Sequence, residues 1–224
     1  MSVKEFLSRP AINLAVSGQY TLAKRFDAQG RPRTFACRTS RISPFQMMVA
    51  VPVIGRVGDP VKSYFGDFGK LEGVISGTAN GGFLFDLEMT ATLREKFTSK
   101  LTWLEKKQKD SSIRDGRMQA RIVPASPHSI LTFADGSTCS CFVIDMSSSG
   151  VAVSADTQPQ IGMPLAVGAC IGRVVRHLPD GFAVQFVEPL SRDVLERRVM
   201  RPVPLHAASA TKAAARAVDA APSP

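Results

Sequence analysis

Short apolar runs broken by turn-forming residues constrain this chain more than any other feature. Met47 to Val53, Leu71 to Ser76, Gly82 to Leu87, Ile130 to Phe133, Cys139 to Ile144, Gly150 to Ala155, Ile171 to His177 and Phe182 to Val187 read as strands. Asn80-Gly81-Gly82, Asp135-Gly136 and Pro179-Asp180-Gly181 supply tight turns, because Gly, Asn and Asp tolerate positive φ. Two segments switch to helical period. Leu93, Phe97, Leu101 and Leu104 mark an amphipathic helix from about Thr90 to Lys107, and a shorter helix is expected over about Ser191 to Met200. The fold class is mainly β.

The pattern also repeats. Leu71 to Ser76 followed by Gly82 to Leu87 parallels Ile171 to Arg176 followed by Gly181 to Phe186, and each hairpin precedes a helix. Upstream, Arg41 to Met47 occupies the place of Asp145 to Val151. Two copies of one small β-domain account for this order. The expected organisation is a first barrel with its helix over 1–108 and a basic connector over 109–121. A second domain follows over 114–204, and a disordered Ala-, Pro- and Ser-rich tail over 205–224.

Lys and Arg number 28 against 19 Asp and Glu, a net charge of +9 that suits an anionic partner without choosing one. From Arg94 to Arg121 there are nine basic and four acidic residues, so over half of the excess sits at the connector. Four cysteines are too few for a disulfide scaffold, so Cys37, Cys139, Cys141 and Cys170 are expected to be reduced and largely buried. The N-terminus lacks an apolar secretory core, and no apolar stretch approaches the roughly 20 residues of a membrane span. A cytoplasmic protein with no membrane span is the expectation.

Two motifs flank the first strand of the second copy. Arg117 and Arg121 stand four residues apart, and Asp145, Ser147 and Gly150 follow that strand. A guanidinium fork meets phosphate oxygens or the O6 and N7 acceptors of guanine. A carboxylate complements the N1–H and N2–H donors on guanine's other edge, a hydroxyl adds an adaptable contact, and glycine permits close approach. The set suits a compact anionic guanine nucleotide.

At these residues the chain resembles the PilZ family, whose RxxxR and (D/N)xSxxG pair reads here as Arg117xxxArg121 and Asp145xSer147xxGly150. The resemblance covers roughly 114 to 200. It implies two tandem six-stranded β-barrels, each followed by an α-helix, and cyclic di-GMP as ligand. Arg117 and Arg121 would close over that ligand, Arg114 would add a phosphate contact, and Asp145, Ser147 and Gly150 would lie beneath a guanine. The implied role is a receptor that changes inter-domain orientation and signals to an unidentified downstream protein in motility, exopolysaccharide production or attachment. Ligand stoichiometry and self-association stay open.

The first copy departs from the motif. Arg41 replaces the acid and Gln46 the glycine; only Ser43 is kept, and Arg25, Arg31 and Arg33 are wrongly spaced. This copy is therefore expected not to bind cyclic di-GMP and to serve as a platform or docking face.

Other chemistries find less support. Cys139 and Cys141 lack a second ligand pair for zinc, and no cofactor or metal is expected. Asp67-Phe68-Gly69 lacks every other kinase element, and neither a phosphate loop nor a G-x-S-x-G appears, so no enzymatic role is expected. Trp103 is expected to pack against a barrel. Tyr64, Phe65 and Phe68 with Lys62 and Lys70 read as hairpin core rather than a base-stacking surface, and DNA is not an expected partner. Two rivals remain: a ligand-independent protein-interaction module and, more weakly, a basic nucleic-acid binder.

Overall fold

The computed structural model describes residues 3–8, 10–110, 122–124 and 126–200. A short helix, α1 (Val3–Ser8), precedes strands β1 (Ser17–Phe26), β2 (Pro32–Ile42), β3 (Gln46–Ala50), β4 (Pro60–Phe65), β5 (Gly69–Ala79) and β6 (Gly82–Glu88), then helix α2 (Ala91–Asp110). Strands β7 (His128–Phe133), β8 (Thr138–Ser147), β9 (Gly150–Ala155), β10 (Pro164–Val167), β11 (Cys170–Leu178) and β12 (Gly181–Phe186) follow, then helix α3 (Arg192–Val199). The twelve strands close into two antiparallel barrels, β1-β2-β3-β6-β5-β4 and β7-β8-β9-β12-β11-β10, which share one topology.

Alternation along the strands fills each barrel. Tyr20, Phe35, Phe65, Phe83 and Phe85 pack inside the first, which Phe97, Leu101 and Leu104 of α2 close. The second interior is mainly aliphatic, with Leu131, Val143, Val153, Val174 and Phe182, and is closed by Leu195 and Val199 of α3. Tyr20 stays inside because its hydroxyl donates to the Val53 carbonyl at 2.5 Å. Cys37, Cys141 and Cys170 are buried free thiols, whereas Cys139 is half-buried.

Several expectations need correction. Leu93 is 56% exposed and Trp103 50% exposed, the latter with the Lys100 ammonium 4.6 Å from its ring centroid, so neither packs into the core. Helix α2 continues to Asp110, three residues beyond the expected Lys107. Tyr64 is exposed and Phe65 fully buried, as adjacent strand residues must be on opposite faces. The repeat alignment of the hairpins shifts by one: Leu71 is equivalent to Cys170, both buried, rather than to the exposed Ile171. Among the described residues no helix is long and apolar enough to cross a membrane. Arg114, Arg117, Arg121 and the tail lie outside the described residues.

The barrels meet along β2, β8 and β9. Ala36 donates its N–H to the buried Ser154 hydroxyl at 3.1 Å, and Arg25 and Arg33 each approach Asp156 at 3.1 Å. Arg38, only 6% exposed, donates to the carbonyls of Pro124 at 2.5 Å and Ile144 at 3.3 Å.

Candidate ligand-binding face of the second barrel

The sequence suggested that Asp145 and Ser147 lie between two strands, the second beginning at Gly150. The structure extends β8 past Ile144, so that Asp145 and Ser147 lie in its last three residues, while Gly150 begins β9 as the strand pattern predicts, joined to them through Ser148 and Ser149. Strict alternation after Cys141 and Val143 would turn Asp145 into the barrel. A bulge at Ile144 prevents this: Met146 becomes the buried residue, and Asp145 and Ser147 face outward. The Ser147 hydroxyl lies 3.4 Å from the Gly150 carbonyl and 3.3 Å from the Ser149 hydroxyl, a local turn contact. A Cβ on Gly150 would meet the Val184 carbonyl oxygen at 2.5 Å, so the barrel itself requires this glycine.

A second bulge, at Val175 of β11, turns Arg176 outward in the same way, where alternation after Val174 would bury it. The two bulged residues share one register row. Asp145 pairs with Ala152, Ala152 with Ala183, and Ala183 with Arg176. A carboxylate and a guanidinium thus stand at opposite ends of a floor made of two methyl groups. All four residues, with Ser147 and Gly150, line a pocket of about 460 Å³. Sequence reasoning missed Arg176, Ala152 and Ala183; the signal for them lies in strand register, which a linear motif does not carry.

The first barrel has the same row with different contents: Arg41, Met48, Leu84 and Gly77 pair in succession across β2, β3, β6 and β5. Helix α1 lies over it. Phe6, 1% exposed, packs on Met48 and Leu84, which are 9% and 0% exposed, with Val3 beside them. Gly77 leaves room for this helix, since a Cβ there would stand 3.0 Å from Val3 Cγ2. The neighbouring positions are also satisfied internally. Gln46 donates to Asp86 at 2.6 Å, and Arg94 donates to the Pro44 carbonyl while stacking on Phe45 at 4.5 Å. Among the described residues, the face left open on the second barrel is filled on the first by Phe6 and Val3 of α1.

Residues 114–201 match the family model described as PilZ domain. No curated protein matches the chain. Among solved structures, PlzA of Borreliella burgdorferi in complex with c-di-GMP aligns over 89% of this chain and 92% of that one, at 11% identity and a TM-score of 0.28. YcgR of Escherichia coli in complex with c-di-GMP aligns over 92% and 88%, at 14% identity and 0.27. The Bacillus subtilis inhibitor of motility aligns over 84% and 95%, at 12% identity and 0.27. The matched residues, fewer than half of the chain, span the whole of the second barrel and α3, and it is this barrel that resembles the PilZ domain family.

Proposed function

We propose that this protein is a cyclic di-GMP receptor whose ligand lies on the outer face of the second barrel. One observation carries the reading: within a barrel that matches the PilZ model, an outward acid stands beside a flat two-alanine floor, and the equivalent floor of the first barrel is already covered by Phe6. The floor offers a planar base apolar contact. Asp145 accepts from the guanine N1–H and N2–H donors, and Ser147 adds a hydroxyl contact. Gly150 keeps the end of the floor low.

Arg117 and Arg121 complete the site by gripping phosphate and guanine, with Arg114 adding a phosphate contact. The internal repeat supports this assignment. Ile122, joined covalently to Arg121, bridges Met146 between Asp145 and Ser147, just as Ile12 bridges Ile42 between Arg41 and Ser43. Upstream of Ile12 the chain supplies α1, an apolar cover. Upstream of Ile122 it supplies guanidiniums, whose planar forks match the phosphate oxygens of an anion lying on the floor. Because this segment also joins α2 to the second barrel, drawing it onto the ligand biases the orientation of the barrels, provided the ligand binds the two orientations with different affinity. A downstream protein then reads the orientation.

Calorimetric titration with cyclic di-GMP tests the reading. Micromolar or tighter binding that Arg117→Ala abolishes supports it. Absence of binding overturns it and leaves a protein-docking module. Equal, salt-sensitive binding to arbitrary oligonucleotides overturns it in favour of a nucleic-acid binder.

A further inference from the structure

We infer that Arg176 reads the O6 and N7 edge of the guanine lying on the alanine floor, and so sets base specificity together with Asp145. This rests on the cyclic di-GMP reading and adds to it a residue outside the RxxxR and DxSxxG motifs. Geometry carries it. Asp145 and Arg176 end one register row, three strand spacings apart, a backbone separation of about 14 Å at most. A purine placed between their side chains covers both alanines. Guanine turns donors to the carboxylate and presents acceptors to the guanidinium, whereas adenine offers an acceptor at N1 and a donor at N6, and is mismatched at both ends.

Arg176 stands outward through the β11 bulge, where simple alternation would have buried it, and the matching bulge at Ser76 of β5 turns Gly77 outward in the first barrel. The neighbour of Arg176 on the outer face, Arg173, is engaged by the Gly162 carbonyl at 2.5 Å, whereas no hydrogen bond or ion pair holds the Arg176 guanidinium among the described residues. In the first barrel, where α1 fills the face, the equivalent residue is Gly77. The guanidinium is present on the open face and missing from the filled one.

The full chain is titrated with cyclic di-GMP, with its 7-deazaguanine analogue and with cyclic di-AMP, as wild type, Arg176→Ala and Arg176→Lys. The expected result is a loss of about tenfold to a hundredfold for Arg176→Ala, in the range of a bidentate arginine–base pair, with little recovery in Arg176→Lys. The wild type weakens against the 7-deaza analogue, whereas Arg176→Ala binds parent and analogue alike and discriminates less against cyclic di-AMP. Thermal melting of both variants stays at the wild-type midpoint, because the side chain is exposed. Wild-type affinity in Arg176→Ala overturns the inference and leaves the receptor reading intact. A loss in Arg176→Ala accompanied by undiminished sensitivity to the analogue also overturns it, since the arginine would then act on phosphate. Failure of the wild type to bind cyclic di-GMP overturns both.

Discussion

Arg38 of the first barrel donates to the carbonyl of Ile144, the bulge residue that turns Asp145 toward the outer face of the second barrel. The same guanidinium holds the Pro124 carbonyl, three residues past Arg121, and lies 5.5 Å from the Phe142 ring centroid. One buried side chain of the first barrel therefore touches both the strand that carries the acid and the segment that follows the arginine motif. Arg38→Ala leaves two carbonyls without their donor and is expected to cost about 2–4 kcal/mol of stability, measured by denaturant unfolding. Arg38→Lys is expected to recover less than half of this, because a single ammonium lacks the fork that reaches both acceptors.

Gly150 and Asp145 belong to one motif but answer to different demands. A side chain at Gly150 collides with the Val184 carbonyl oxygen, so Gly150→Ala lowers the melting temperature in the absence of any ligand. Asp145 is a half-buried outward residue, so Asp145→Ala is expected to change stability by no more than about 1 kcal/mol while weakening cyclic di-GMP binding at least about tenfold. Melting curves and titrations on both variants separate the roles. A ligand effect from Gly150→Ala without any thermal effect runs against this division.

Burial of Phe6 is what fills the first barrel's outer face, and its removal should leave a cavity over Met48 and Leu84 rather than a site. Phe6→Ala is expected to lose about 3–5 kcal/mol from the unfolding free energy of the first barrel. Ligand stoichiometry per chain should not change, since Arg41 still stands where Asp145 stands in the second barrel. An added binding site in this variant, seen as a higher calorimetric stoichiometry, contradicts the assignment.

What the sequence revealed follows from the range of its signals. The hairpins of β5–β6 and β11–β12 were legible because their buried residues alternate and Gly82 and Gly181 end their turns. β1 was not, because only Tyr20 and Leu22 of its ten residues are buried and the rest are polar or exposed. β2 was obscured by Arg38, a charge whose burial is explained only by the partner barrel. α1 is six residues with one buried side chain, too short for any period to register. Asp145 and Ser147 stood out as a motif, but the opposite end of their row did not. Arg176 meets them only through three successive strand pairings and two bulges, and bulges leave no reliable mark in a linear pattern.

His128 offers a pH test of the barrel contact. It sits on β7, half-buried, hydrogen-bonded to the backbone of Gly81 in the first barrel. Burial, reinforced by the positive charge of Arg38, pulls its pKa below the usual histidine value, and the Gly81 bond only partly opposes this. Well above the unfolded histidine value of about 6.5 the imidazole is neutral in both folded and unfolded chains and contributes no slope. Below that the unfolded chain takes up a proton that the folded one resists, so stability falls until the folded pKa is passed. Asp27 and Asp135 are held below the usual carboxylate range and titrate at lower pH than this window. Denaturation midpoints are expected to decline from pH 7 toward pH 5.5 in the wild type and to flatten in His128→Gln, which keeps an amide donor for Gly81.

The two rows also allow one barrel to be converted into the likeness of the other. Leu84 and Ala183 occupy the same register position, outward on β6 and β12, and the first barrel shows that this topology accepts a leucine there. Ala183→Leu therefore raises the floor of the second barrel without disturbing its interior, since Phe182 and Val184 on either side are the residues that point inward. The variant should fold with a melting temperature within a few degrees of wild type. It should lose cyclic di-GMP binding by more than Ser147→Ala does, because a branched side chain on the floor displaces the base whereas removal of one hydroxyl forfeits a single contact of about 1 kcal/mol. Titration of the two variants side by side decides the matter: unaltered affinity in Ala183→Leu would place the ligand somewhere other than between Asp145 and Arg176.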